Sequence, residues 1–530
     1  MSKRLNWIEI ICIILISILA TNLINKCSSN KKELKVGQHK WDKLLLILNE
    51  IEKNYVDTIG YKDLVEKAIP SIMNSLDPHS TYLPPQELVS AEESLEGNFS
   101  GIGVQFNVPA DTAIIINVIP GGPSEKAGVL SGDRIVKVNG KNIAGVKFPQ
   151  DSMVKLLKGP INTKVNVEIK RSGLNDLLPF TIIRDKIPVK SLDVAFMLND
   201  KLGYMKLSKF SRTTHKEFVQ EMNKLKGLGI KELIIDLRDN TGGYLDQALL
   251  ISNEFMAKGD LIVYMEGIHR KREEFRADGK GICKDIKLYV LINESSASSS
   301  EIFTGAIQDN DRGIIMGRRS FGKGLVQEPI YFSDGSGIRL TVARYYTPTG
   351  RCIQKPYTDD YQLDIIERYR HGEMTVADSI KKNDSLKFIT PKGKTVYGGG
   401  GIIPDIFVPI DTVGVTDFLI NCNKKSLQIK YSNLLADRYR EQLRNIKTIG
   451  ELDKLISNIN IERGFLEYAK ENNVIPKQDE WKISGDIILT QLKGLFGRCS
   501  PLDDNAFYPY ILKKDNVVEK AQELSKKDNN

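Results

Sequence analysis

Early in the chain, apolar residues recur at helical spacing: Leu44, Leu45, Leu48 and Ile51, then Leu64, Val65, Ala68 and Ile69. They predict two amphipathic helices that end at the turn Asp77-Pro78-His79-Ser80 and the breaker Pro84-Pro85, a helical module over 31–90. From about 97 to 184 the period shortens. Runs at 102–106, 113–118, 134–138 and 165–170, parted by glycine and proline turns, predict a β-rich domain over 91–185. After Pro188 apolar runs alternate with helical periods. Strands at 202–207, 232–237, 261–265, 287–292 and 313–316, with helices at 216–226, 245–256 and 301–308, predict an α/β core over 186–413. Further strands are expected between 325 and 346. Beyond 413 the pattern is helical again, to a charged end at 526–530. The expected fold class is a multidomain α/β (α+β) chain.

The amino-terminal pattern is different in kind. Lys3 and Arg4 precede an apolar stretch over 10–20, extended by Trp7, Ile8, Leu23 and Ile24, which reads as an export signal. A helix over 8–24 would be roughly 25 Å long against a hydrocarbon core of ~30 Å, and no A-x-A cleavage site follows. Residues 1–30 are therefore expected to be an uncleaved signal anchor in the inner membrane, with the rest of the chain outside the cytoplasm, in the periplasm or its equivalent. Lipidation at Cys27 is the lesser reading, because Asn25 and Lys26 stand where small residues are expected.

With 530 residues, the chain exceeds what one core usually organises. Its 41% hydrophobic and 27% charged residues exclude wholesale disorder and a multispanning membrane protein. The net charge of +8 is spread along the chain with no arginine-rich block, so no nucleic-acid partner is expected. The six cysteines have neither C-x-x-C spacing nor a histidine cluster, so no metal site is expected.

Three segments carry candidate chemistry. The strand ending at Ile292 runs through Asn293-Glu294-Ser295-Ser296-Ala297-Ser298-Ser299-Ser300-Glu301 into a helix, a strand–turn–helix arrangement that can present a nucleophile beside unpaired backbone N–H groups. Ser298-x-x-Glu301 is also a capping box, which needs no catalysis. The second segment, Asp236 to Gly243, ends in a glycine pair that lets backbone approach a ligand. The third, Gly317 to Gly324, nearly spells a P-loop. Gly324 stands where Ser or Thr is needed, however, and a strand follows where a helix is needed. What remains is Lys323 between two glycines, able to approach another main chain, lose solvent and so lower its pKa toward that of a general base. Gln327, four residues on, can orient the amine without adding a charge.

Two resemblances follow from these motifs. G-I-G-V-Q-F from Gly101, P-G-G-P-S-E-K-A-G from Pro120 and G-D-R-I-V-K-V-N-G from Gly132 resemble a PDZ domain. The resemblance implies that Gly101, Ile102, Gly103 and Val104 form the loop that takes a peptide's terminal carboxylate. The order D-L-R-x-N-x-G-G, S-A-S-x-S-E-I, Q-D-N, F-G-K-G-x-V-Q, T-P-x-G-R-x-I and G-I-I-P-D-I resembles the carboxyl-terminal processing (tail-specific) peptidases, over roughly 41–409. It implies Ser298 as nucleophile, Lys323 as base and Gln327 as its orienting partner. The oxyanion hole would be the N–H of Ser299 with one from Gly242 or Gly243, Ser300 is a fallback nucleophile, and Asp309 has a structural role. No cofactor is implied. The partners implied are protein substrates with exposed, apolar C-terminal tails, a homo-oligomer and an adaptor protein. Residues 357–394 look like an insertion, and 414–530 a helical extension without a placed motif.

Two rivals are weaker. None of His39, His79, His215, His269 and His371 lies in a motif that would serve Ser298, and there is no G-x-S-x-G, which disfavours a Ser-His-Asp hydrolase. A catalytically silent PDZ scaffold or chaperone would not need Ser298, Lys323 and Gln327 together.

Overall fold

The structure, a computed structural model, describes residues 42–108, 111–357 and 361–527. The expected anchor over 8–24 and Cys27 lie outside them, and among the described residues no helix is long and apolar enough to cross a membrane. The chain divides into two compact units at Leu76/Asp77. In the first, helices Asp42–Asn54 and Tyr61–Asn74 pack on each other, with Leu48 and Met73 buried.

The module expected over 31–90 is thus divided. From Asp77 onward the chain belongs with the second unit: strand Thr81–Leu83 pairs antiparallel with Gly337–Tyr346, Tyr82 facing Ile338, and helix Pro85–Glu96 follows. The sequence carries no sign of this pairing, because the strand is three residues long and its partner is far away.

A β-rich domain comes next. Strands Val104–Asn107, Ala113–Val118, Arg134–Val138, Lys164–Lys170 and Leu177–Ile183 neighbour one another in that order. Helix Gln150–Leu157 supplies Met153 and Leu157 to the same core. Along Lys164–Lys170, Val165, Val167 and Ile169 are buried while Lys164 and Asn166 are exposed, the period-two pattern of a sheet with one wet face.

The α/β core is a six-stranded sheet in the order Leu192–Met197, Leu202–Leu207, Glu232–Asp236, Lys287–Ile292, Ile314–Gly317, Ile406–Phe407. Its first pair is antiparallel and the rest are parallel. Both faces are covered, which is why these strands read as near-continuous apolar runs. Leu233, Ile235, Leu288 and Val290 meet Phe218, Ala248, Ile251 and Phe303, from helices Thr214–Gly227, Leu245–Asn253 and Ser299–Asp309. Tyr204, Ile234, Tyr289, Leu291 and Met316 face the other way, onto Val517, Val518 and Ala521 of helix Asn516–Lys527.

Strand Leu261–Gly267 does not join this sheet. It lies in a second, antiparallel one with Thr81–Leu83, Gly337–Tyr346, Leu325–Tyr331 and Arg270–Arg276. The last of these was not predicted, because its sequence, RKREEFR, is a charged edge strand with no apolar alternation. Helices between Asp417 and Ile511 form their own core around Leu427, Leu452, Phe465, Ile488 and Phe496. Arg134 of the β-rich domain pairs with Asp437 of these helices at 2.7 Å.

Candidate active site

Strand Lys287–Ile292 delivers the chain into the turn 293–297, and Ser298 precedes helix Ser299–Asp309 with φ 57° and ψ −117°. Residues other than glycine seldom hold such a conformation, and it turns the serine out of the path of its neighbours. Those neighbours are engaged. Ser296 Oγ donates to Leu237 O, Ser299 Oγ to Gly243 O and Ser300 Oγ to Asn240 O, at 2.8, 2.8 and 2.9 Å. Ser300 is fully buried, which removes the case for it as a fallback nucleophile. Ser298 and Glu301 form a capping box, in which the Glu301 carboxylate accepts from Ser298 N.

The glycine turn lies against this serine. A Cβ on Gly242, whose φ is 104°, would sit 2.8 Å from Ala297 O and from Ser298 Cβ, so only glycine fits. The buried Asn240 holds the turn in place: its Nδ2 donates to Leu207 O, its Oδ1 accepts from Gly242 N and its carbonyl accepts from Ala297 N. The N–H of Gly242 is therefore occupied. Among the described residues, no hydrogen bond engages the N–H of Ser299 or of Gly243.

Lys323 lies in a loop packed closely by main chain. A Cβ on Gly322 would meet Gly401 N at 3.0 Å, and one on Gly324 would meet Gln354 N at 2.9 Å. Lys323 Nζ donates to Gln327 Oε1 at 2.8 Å, and Gln327 Nε2 donates to His79 O at 2.5 Å. Burial, and next the charge of Arg339, hold the Lys323 ammonium below its ordinary pKa, with Asp77 and Glu301 pulling the other way. No hydrogen bond joins Lys323 Nζ to the Ser298 hydroxyl in this structure.

The two loops are joined by Glu301 and Tyr345. The fully buried Glu301 carboxylate accepts from Ser298 N (2.9 Å), Lys323 N (2.9 Å), Gly322 N (2.7 Å) and Ser320 Oγ (2.6 Å). Burial pushes its pKa up while these four donors pull it down. The Tyr345 hydroxyl lies 2.6 Å from Lys323 O and 3.1 Å from Ser298 O. The segment 357–394 braces the same loop: Arg368 donates to Ser320 O and Phe321 O, and Arg319 pairs with Glu373. Sequence reasoning missed these long-range partners. Only the capping-box spacing of Glu301 hinted at one of them.

Among the described residues, His79 is the histidine that reaches this neighbourhood. Its ring is 2.5 Å from Tyr361 OH and its pKa is pushed down to about 4, by burial first and then by Lys323. Among the described residues no carboxylate hydrogen-bonds that ring, and His215 is paired with Glu254 instead. Asp309 is buried against Arg351 at 2.6 Å and accepts from Thr349 Oγ1, a structural arrangement.

In the β-rich domain, Gly101, Ile102, Gly103 and Val104 border a cavity of about 110 Å³, closed by Phe106, Val154, Leu157 and Lys158. A larger cavity, about 240 Å³, lies between strand Ala113–Val118 and the helices of the 414–530 region and contains none of Ser298, Lys323 or Gln327.

The description "Peptidase family S41" matches residues 201–363 and "PDZ domain" matches 100–180. The chain is 34% identical over 336 residues to the carboxy-terminal processing protease CtpA of Bacillus subtilis, covering 62% of this chain and 70% of that protein. It is 35% identical over 342 residues to the carboxy-terminal-processing protease of Bartonella bacilliformis, covering 63% and 77%. Among solved structures, a photosystem II D1 C-terminal processing protease aligns over 70% of this chain and 89% of that one, at 26% identity and a TM-score of 0.35. The matched segments define a class, serine-type peptidases that carry a PDZ domain. Within that class, this chain belongs to the carboxy-terminal processing proteases of peptidase family S41.

Proposed function

We propose that this protein is an endopeptidase of the cell envelope that takes the C-terminal tails of protein substrates through its PDZ domain and cleaves them with Ser298, activated by Lys323. The observation that carries the reading is the half-buried Lys323 amine, bound to an uncharged partner, Gln327, in surroundings that disfavour its protonation.

In the neutral form Lys323 Nζ takes the proton of Ser298 as Oγ bonds to the scissile carbonyl carbon. The oxyanion faces the N–H groups of Ser299 and Gly243, Gly242 having given its own to Asn240. The C–N bond then breaks, with the ammonium of Lys323 returning the proton to the leaving amine. Water attacks the acyl-enzyme with Lys323 again as base, releasing the acid and restoring the serine hydroxyl. The Ser298–Lys323 contact forms in the substrate complex, since catalytic hydrogen bonds are often loose without substrate. The apolar lining of the cavity beside Gly101–Val104 suits an apolar final side chain.

In the test, the purified protein degrades unfolded casein without ATP, and Ser298→Ala and Lys323→Ala each abolish this. Near-normal turnover by Lys323→Ala overturns the reading. Residues 1–30 are assigned to anchorage. Deleting them should release a soluble, active enzyme, and recovery of the full-length protein in the soluble cytoplasm contradicts that assignment.

A further inference from the structure

We infer that the turn Asp77–Ser80 determines which end of the Gln327 amide faces Lys323, and that Asp77 is a positioning residue for the base. This rests on the Ser298–Lys323–Gln327 reading above and adds a residue to it.

A glutamine amide has two nearly isosteric ends with opposite chemistry. With its oxygen toward Lys323 it accepts an N–H and leaves the lone pair of the neutral amine free for the serine proton. With its NH2 toward Lys323 it donates to that lone pair, and the base is spent. A carbonyl oxygen can only accept, so the bond from Gln327 Nε2 to His79 O permits the first orientation and opposes the second.

The position of His79 O is itself fixed. Asp77 Oδ1 accepts from His79 N at 2.7 Å and from Ser80 N at 2.8 Å, and Oδ2 accepts from Ser80 Oγ at 2.6 Å. Ser80, fully buried, accepts from Thr341 N through the same oxygen at 3.1 Å. Thr341 is the cross-strand neighbour of Gln327 in the hairpin Leu325–Tyr331/Gly337–Tyr346. The turn and the glutamine are thus registered on one pair of strands. On the far side the His79 ring is held by Tyr361 and lies edge-on to Phe321.

Asp77 also acts on Lys323 through its charge, and two substitutions separate the roles. Asp77→Asn removes the charge but keeps an oxygen for the two N–H groups, whereas Asp77→Ala removes both. Turnover of a peptide substrate is measured for the full chain, in the native and the Gln327→Ala backgrounds. Asp77→Ala should lower kcat about 10- to 100-fold with little change in KM, the scale expected when a catalytic group is displaced by an ångström or less. Asp77→Asn should cost several-fold less, and in the Gln327→Ala background Asp77→Ala should cost less than about twofold more, because coupled residues are non-additive. Equal losses in the two backgrounds, or equal losses for Asn and Ala, overturn the inference. If Asp77→Ala loses its cooperative melting transition, Ser80→Ala, which cuts the tie to Thr341, takes its place in the same cycle. An active Lys323→Ala enzyme instead refutes the underlying mechanism and is read separately.

Discussion

Replacing Glu301 by glutamine exchanges one acceptor oxygen for an NH2 donor where four donors converge. The amide can keep its oxygen toward Ser298 N and Lys323 N and turn its NH2 toward Ser320, whose oxygen accepts from Ile402 N and has a second lone pair to offer. Gly322 N–H is then left facing a donor. An unsatisfied buried donor costs about 1–3 kcal/mol, and two charge-assisted bonds become neutral ones, each weaker by about 1 kcal/mol. Relief of the buried charge offsets part of this, leaving a net loss on the order of 3 kcal/mol. If that loss appears as local opening of the 320–324 loop, amide hydrogen exchange at Gly322 and Lys323 should accelerate about 100-fold, a factor of ten for each 1.4 kcal/mol. Peptide turnover should fall by a similar factor, because a loop opened at Gly322 no longer holds the base in place beside the nucleophile. Exchange measured by mass spectrometry on peptides spanning 296–304 and 318–326 reports the opening directly. Unchanged exchange with near-native turnover would falsify the role given to this carboxylate.

The pH profile of turnover should rise with pH through the lowered pKa of Lys323, because the base works as the neutral amine. Lys323→Arg should be inactive at every pH, and Gln327→Glu should move the rising limb to higher pH by stabilising the ammonium; a limb that stays in place contradicts this. Gly242→Ala should fold yet lose most activity, since its Cβ would press on Ala297 O and Ser298 Cβ; crystallography and single-turnover kinetics would expose an undisturbed serine if the close approach is unimportant. Amidating a substrate's C-terminus should slow cleavage by weakening capture at Gly101–Val104, and equal rates for free and amidated tails would count against that loop as the carboxylate site.

What could be read from the sequence, and what could not, follows the range of the forces involved. Strands Glu232–Asp236 and Lys287–Ile292 are visible because burial on both faces makes them continuously apolar, a property of the segment itself. Arg270–Arg276 is a strand only because Leu261–Gly267 offers it an edge, so its own residues give no sign. The same holds within the site. Lys323 lies between recognisable glycines with Gln327 four residues on, and their hydrogen bond is local. That Gly242 N–H is occupied and Gly243 N–H is not depends on Asn240 being pulled toward Leu207 by a third strand. The division of the 31–90 module at Leu76/Asp77 and the bracing of Ser320 and Phe321 by Arg368 also depend on partners far along the chain.

Helix Asn516–Lys527 covers the sheet face formed by Tyr204, Ile234, Tyr289, Leu291 and Met316. Just ahead of it, Asp515 pairs with Arg238 at the root of the glycine turn. Synthesis runs from the amino end, so Ser298, Lys323 and Gln327 are all made well before the residues that close the sheet. A chain that has not reached Asp515 lacks the Val517, Val518 and Ala521 cover of that face, and among the described residues Arg238 then has Asp236 as its carboxylate partner. Completion of that sheet face therefore falls at the end of synthesis, after every residue of the site has been made.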